Sequence, residues 1–185
     1  FGFFRFFLPK RSVLLSQPLI SLIMKIYKCK LCGDELCTDA YPMEVVDDVM
    51  YKFEGKFVAK VEGGDYGIGG DEEEGVADPN TVHVVDIVDA SNLVETQYDK
   101  KSYMMHIKMY MKKLKAKLEA EDPERVAPFM KGAQAFVKKL IGDFKEYQFF
   151  TGSSMDPEST TILCKYEGET PYFYIWKDGC EEEKY

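Results

Sequence analysis

Two helical stripes joined at a single Asp-Pro step constrain this chain more than any other feature. Tyr103, Ile107, Tyr110, Met111, Leu114 and Leu118 recur at steps of three and four. Val126, Phe129, Met130, Ala133, Phe136, Val137, Leu140 and Ile141 repeat the pattern. Such spacing puts each set on one face of a helix. Asp99 suits the cap of the first helix and Asp122 that of the second. Pro123 falls at a first helical position, where a missing amide breaks no intrahelical bond. Pro128, in the second turn, is expected to kink or delay the helix. With so short a connection, the stripes must fold back on each other as an antiparallel hairpin over residues 99–143.

Strand patterns flank the hairpin on both sides. Before it lie residues 24–31, with alternating side chains and a turn at Gly33-Asp34, then Val45-Val46 and residues 50–53. Phe53-Glu54-Gly55-Lys56-Phe57 reads as a tight β-hairpin with Gly55 at positive φ. Residues 82–88 (VHVVDIV) read as one strand rich in β-branched side chains. After the hairpin come residues 147–151, 160–166 and 172–176, separated by turns at Asp156-Pro157, Glu167-Gly168 and Asp178-Gly179. Strands, helical hairpin, strands is the order of an α+β fold with a mostly antiparallel, β-rich core.

Composition limits function. The chain has 185 residues, enough for one domain. Its 24 basic and 32 acidic residues leave a net charge of −8, the wrong sign for a dedicated nucleic-acid binder. Five cysteines are too few for a disulfide scaffold and point to a reduced, intracellular setting. Residues 1–23 differ from the rest: five Phe in the first seven positions, three bases and no acid. They read as an extension outside the fold: leader or appended sequence, a targeting peptide, or an anchor to a membrane or partner. The uncharged run at 12–24 contains Pro18 and is too short for a transmembrane helix. Residues 24–185 read as a single domain.

Most tests for chemistry fail. Residues 62–81 hold six Gly, seven acids and no base, which suits a flexible acidic loop. Within it, residues 64–70 mimic a phosphate loop, but Asp71 stands where Lys would be needed, and Asp71, Glu72, Glu73 and Glu74 would repel phosphate. Those four carboxylates are the ligand type calcium prefers, so they are weak calcium candidates without an EF-hand pattern. His83 and His106 sit in no metalloprotease motif. Cys29-Lys30-Leu31-Cys32 is a C-x-x-C, suited to redox chemistry or half a zinc site, with no second pair to complete the latter. The lysines along the first helix could meet an acidic partner such as a tubulin tail.

A family resemblance covers the chain from Met24 onward. Met24-Lys-Ile-Tyr-Lys, Gly33-Asp34-Glu35-Leu36, Thr38-Asp39, Ile68-Gly69-Gly70 and Val85-Asp86-Ile87-Val88 follow one another in order. Pro123-Glu124-Arg125-Val126, Pro128-Phe129-Met130, Phe144-Lys-Glu-Tyr-Gln-Phe-Phe150 with Gly152, Thr170-Pro171-Tyr172 and Lys177-Asp178-Gly179 continue the series. Together they resemble the translationally controlled tumour protein family. That likeness implies a cytoplasmic, non-enzymatic regulator, a monomer that needs no cofactor but can bind calcium. It further implies association with tubulin and stabilisation of microtubules, contact with Ras-like small GTPases and other regulatory proteins in growth control, and a part in stress protection. Microtubule contact then falls on Lys108, Lys112, Lys113, Lys115 and Lys117, and GTPase contact on Glu35 with Leu93 nearby. Two departures stand out. Ser153 follows Gly152 where the family usually has Glu, and Asp71 to Glu74 replace the Asn and Ser that usually continue the first signature. Competing readings are a thiol oxidoreductase using Cys29 and Cys32, and a guanine-nucleotide exchange factor.

Overall fold

The computed structural model describes residues 24–61 and 81–185. Residues 1–23 and nearly all of the acidic stretch 62–81 lie outside the described residues. Among the described residues, eleven strands and three α-helices follow in the order β1 (Lys25–Cys29), β2 (Glu35–Thr38), β3 (Met43–Val46), β4 (Met50–Glu54), β5 (Phe57–Val61), β6 (Thr81–Val85), α1 (Asp86–Ala90), β7 (Val94–Thr96), α2 (Lys100–Glu121), α3 (Pro123–Gly142), β8 (Tyr147–Thr151), β9 (Ile162–Glu167), β10 (Thr170–Trp176) and β11 (Cys180–Lys184). The fold is α+β, with every strand pairing antiparallel.

A six-stranded sheet, ordered β3-β4-β10-β9-β8-β7, divides the molecule. Its central strand β10 shows why. Tyr172, Tyr174 and Trp176 point to one face and pack with the helices, while Phe173 and Ile175 point to the other. Both faces of β10 therefore need cover, and successive residues serve opposite cores. The first core joins Met50, Phe149, Leu163 and Trp176 to Tyr103, Tyr110, Leu114, Phe129, Phe136 and Leu140 of the hairpin. Phe129 and Phe136 meet the Trp176 ring edge-on at 6.2 and 5.5 Å, an arrangement the aromatic quadrupoles favour. The second core lies between Tyr51, Phe53, Cys164, Phe173 and Ile175 and a three-stranded sheet ordered β11-β1-β2, closed by Ile87 and Leu93.

The helical hairpin forms as its spacing predicts. Asp99 accepts from the Ser102 amide at 2.8 Å, and Ser102 Oγ accepts from the Asp99 amide at 3.0 Å, a reciprocal cap. Asp122 caps α3 through the Arg125 amide, with Pro123 in the first turn. Pro128 delays nothing: α3 runs from Pro123 with Pro128 inside it.

Two local expectations are corrected. Phe53 to Phe57 is no β-hairpin, because β4 pairs with β3 and β10 while β5 pairs only with β6 among the described residues. Gly55 is not at positive φ. It is needed for space instead: a Cβ there would lie 3.1 Å from Phe173 and 3.2 Å from Val85. Likewise the strand at 82–88 stops at Val85. The Asp86 carboxylate accepts from the Lys56 amide at 2.9 Å and the Ile87 amide at 2.7 Å, and this turn starts α1 and drives Ile87 into the second core. Strands β2, β7 and β11 add to those read from the sequence.

Candidate functional site

The lysines of α2 are not equivalent. Leu114 and Leu118 face the core, so their neighbours Lys113 and Lys117 are carried to the flank of the hairpin that abuts the sheets. There Lys113 pairs with Glu158 of the β8–β9 connection, and Lys117 Nζ donates to the Lys30 carbonyl. Both are tied into the fold. Lys108, Lys112 and Lys115 instead line a groove of about 990 Å³ between α2 and α3 on the hairpin's outer side. Lys131 and Lys138 of α3 complete the rim. Lys108, Lys112, Lys131 and Lys138 have no ion-pair partner among the described residues, and Lys115 reaches Glu119 at 3.4 Å one turn along.

The groove's floor comes from apolar residues that the core does not fully use. Met111, Met130, Val137 and Ile141 belong to the helical stripes, yet the structure buries them only in part. With Met104 they line the groove above fully buried Ile107 and Ala133. The stripes are thus wider than the sheet they cover, and the surplus is turned outward. No carboxylate lines this groove among the described residues. Residues 100–142 carry eleven bases against four acids in a chain of net −8. A positive, apolar-floored groove on an acidic body is an attractive surface for acidic partners.

Sequence reasoning found three of the five rim lysines and missed Lys131 and Lys138. The signal was present: Lys131, Gln134 and Lys138 recur at helical spacing beside the α3 stripe.

The other expected residues fall elsewhere. Glu35 is exposed at the start of β2, opposite Lys28 of β1. Leu93 is 7% exposed and belongs to the second core. The loop at Gly152 folds onto the residue before Glu35. Ser154 donates to the Asp34 carboxylate through its hydroxyl at 2.5 Å and its amide at 3.2 Å. Gly152 is required here, since a Cβ would overlap that carboxylate. This contact sets the loop that carries Ser153 against the start of β2, where Glu35 stands. Asp71, Glu72, Glu73 and Glu74 lie outside the described residues. Among the described residues no group of three or more His, Cys, Asp or Glu side chains is placed to hold a metal ion, and no helix is long and apolar enough to cross a membrane.

Cys29 is buried and Cys32 half-buried, and neither is in a disulfide. Burial pushes the Cys32 thiol up to about 12, with its hydrogen bond to Cys29 adding to the shift. A catalytic thiol needs the opposite. Burial also raises Cys37 and Cys164 to about 12 and Cys180 well above the usual thiol range. His106 is buried between the Ser159 carbonyl at 3.2 Å and Thr161 Oγ1 at 3.3 Å. The carbonyl can only accept, so Nε2 carries the proton and Nδ1 accepts from Thr161. Burial lowers its pKa, which keeps the ring neutral and structural.

Comparison with known proteins then decides the family. The sequence model of the translationally controlled tumour protein family matches residues 24–181. The chain belongs to that family. A homologue from Mycosarcoma maydis is 44% identical over 167 residues, covering 87% of this chain and 99% of the relative. One from Schizosaccharomyces pombe is 43% identical over 168 residues, covering 88% and 100%. The solved structure of the Schizosaccharomyces pombe translationally controlled tumor-associated protein superposes with a TM-score of 0.76 at 42% identity, covering 87% of this chain and 99% of that one. These relatives are named as translationally controlled tumor proteins, and none of the names is that of an enzyme. In this member of the family, the match takes in both faces of the six-stranded sheet and the whole hairpin.

Proposed function

We propose that this protein is a non-enzymatic docking regulator whose hairpin engages acidic protein surfaces, microtubules among them. The observation that carries the reading is the rim of Lys108, Lys112, Lys115, Lys131 and Lys138 around a groove without a carboxylate among the described residues. Tubulin tails are acidic, and lysines on a rigid scaffold attract them without first folding a loop. On this reading the protein works as a cytoplasmic monomer. Calcium would be taken by Asp71, Glu72, Glu73 and Glu74, whose carboxylates suit a hard cation.

Microtubule co-sedimentation tests the reading. Reversing all five rim lysines to Glu should abolish pelleting at low salt, while reversing Lys113 and Lys117 should leave most of it. Raising the salt toward a Debye length of about 8 Å should weaken the wild type. Pelleting that survives reversal of the five rim lysines would reject the proposal.

A second reading concerns Ras-like GTPases. Its support is the closure of the Gly152 loop on Asp34, which sets Glu35 at an exposed edge beside Ser153. Glu35→Val should lower affinity for such a GTPase. Faster nucleotide release in the presence of the wild type, lost in the variant, would mark exchange activity; binding without faster release would mark docking alone. Thiol oxidoreductase chemistry is disfavoured by the raised Cys32 thiol. Alkylation of Cys32 as fast as that of a free cysteine would revive it.

A further inference from the structure

We propose that the groove between α2 and α3 seats an amphipathic helix of a partner protein, one with an apolar stripe and acidic flanks. This rests on the docking reading above and deepens it, because an acidic tail alone would use the rim and leave the floor empty. The floor is built from Met104, Met111, Met130, Val137 and Ile141, half-buried side chains that the hairpin holds in excess of what its sheet can cover. Apolar area left half in water is the part of an interface that gains most when a partner covers it. Methionine supplies much of that floor, at Met104 and Met111 of α2 and Met130 of α3. Unbranched thioether side chains repack around differently shaped anchors, which is how adaptable helix-binding surfaces are made.

Backbone chemistry chooses a helix over an extended strand. Both walls are helices whose own amides and carbonyls are paired within α2 and α3, so an extended peptide would find no ladder to join. A helix satisfies its own backbone and can lay side chains at i, i+3, i+4 and i+7 along the floor. The lined portions, from Met104 to Lys115 and from Met130 to Ile141, are each about three turns long, the reach of such a ligand. Five rim lysines then require carboxylates on its flanks. Segments of this chain fit poorly. Residues 1–23 bring three bases and no acid to a positive rim, and residues 62–81 are acidic but carry six Gly, which oppose a helix. A bilayer fits no better, since the floor is recessed between the lysines.

Two labelled peptides of identical composition and about 18 residues separate the possibilities by fluorescence anisotropy with the full chain. One places Leu at i, i+3, i+4 and i+7 among Glu and Ala; the other scrambles the same residues. The striped peptide should bind at least about tenfold more tightly. Ala135→Trp, an exposed groove position, should fill the groove and erase that advantage without touching the core. Met111→Glu should do the same, with thermal melting to show that the fold persists. Reversal of the rim lysines should weaken both peptides together. Equal binding of the two peptides, or an advantage that survives Ala135→Trp, overturns the helix seat and leaves docking to acidic surfaces standing. Binding of neither peptide overturns both readings. Binding to phosphatidylserine vesicles with neither peptide bound would assign the surface to lipid and reject the proposal.

Discussion

The inner and outer faces of the hairpin are made from the same two helices and meet opposite demands. On the inner face Tyr103, Tyr110, Leu114, Phe129 and Leu140 are buried against a sheet that has matching aromatic rings. On the outer face Met111, Met130 and Val137 remain half-buried beneath five lysines. The inner face shows what a completed interface of this molecule looks like: wide aromatic contact, no free charge. By that standard the outer face is an interface missing its other half.

Replacing an anchor on each face should give the widest separation. Phe129→Ala removes a fully buried ring that packs on Trp176 and leaves a cavity that the sheet cannot close. Its cost should be about 3–5 kcal/mol in urea unfolding. Met130→Ala, the next residue but on the groove, should cost less, about 1–2 kcal/mol, because its side chain is only partly buried. Similar losses for the two would remove the distinction between the faces.

A smaller effect tests how the hairpin is fastened to the sheet. Arg125 of α3 donates to Asp178 through Nε at 2.7 Å and Nη2 at 2.9 Å, and also pairs with Asp48 of the β3–β4 turn. The Asp178 side chain is only 8% exposed, so little water is at hand to replace the two hydrogen bonds from this partner. Arg125→Ala should cost about 2 kcal/mol, less than a fully buried pair because Arg125 itself reaches solvent. Asp178→Asn should restore part of that loss when combined with it.

The hairpin was legible because helical spacing persists over some forty residues, long enough for period to outweigh local accident. Its caps were legible because Asp99 and Asp122-Pro123 act through neighbours in sequence. What escaped depends on distant partners. Cys180 to Lys184 carries three consecutive Glu and has no strand preference of its own. It becomes β11 because β1 offers Lys25 and Lys28, which pair with Glu182 and Glu183. The run VHVVDIV has strong strand preference, yet Asp86 breaks it by accepting from Lys56, thirty residues away. The site shows the same divide. Lysines on α2 were visible one by one, but only the tertiary fold shows that Lys113 and Lys117 are taken up by Glu158 and the Lys30 carbonyl, while Lys131 and Lys138 have no ion-pair partner among the described residues.

That division gives the next test, on a scale below one anchor residue. Lys113→Glu would set a carboxylate beside Glu158, and Lys117→Glu would set one at the Lys30 carbonyl. Each should lower stability by up to about 1 kcal/mol with little change in acidic-peptide binding. Lys112→Glu and Lys131→Glu should do the reverse, leaving the melt unchanged and weakening binding with a clear salt dependence. A single pattern for all four lysines would show that the groove rim is no special place.

The smallest effect comes from His106, the one histidine drawn into the inner face. Its pKa is lowered by burial, offset in part by the Ser159 carbonyl. The unfolded chain therefore binds this proton at a higher pH than the folded chain does. Stability from the neutral ring is complete above the unfolded value of about 6.5 and is lost as pH falls below it, with a slope of at most about 1.4 kcal/mol per pH unit. Urea midpoints measured from pH 7.5 down to 5 should fall more steeply in the wild type than in His106→Gln, which keeps a hydrogen-bonding side chain without the titration. If the two profiles run parallel, the ring takes up its proton in the folded state at no penalty, and the inner face is less dry than its aromatic packing implies.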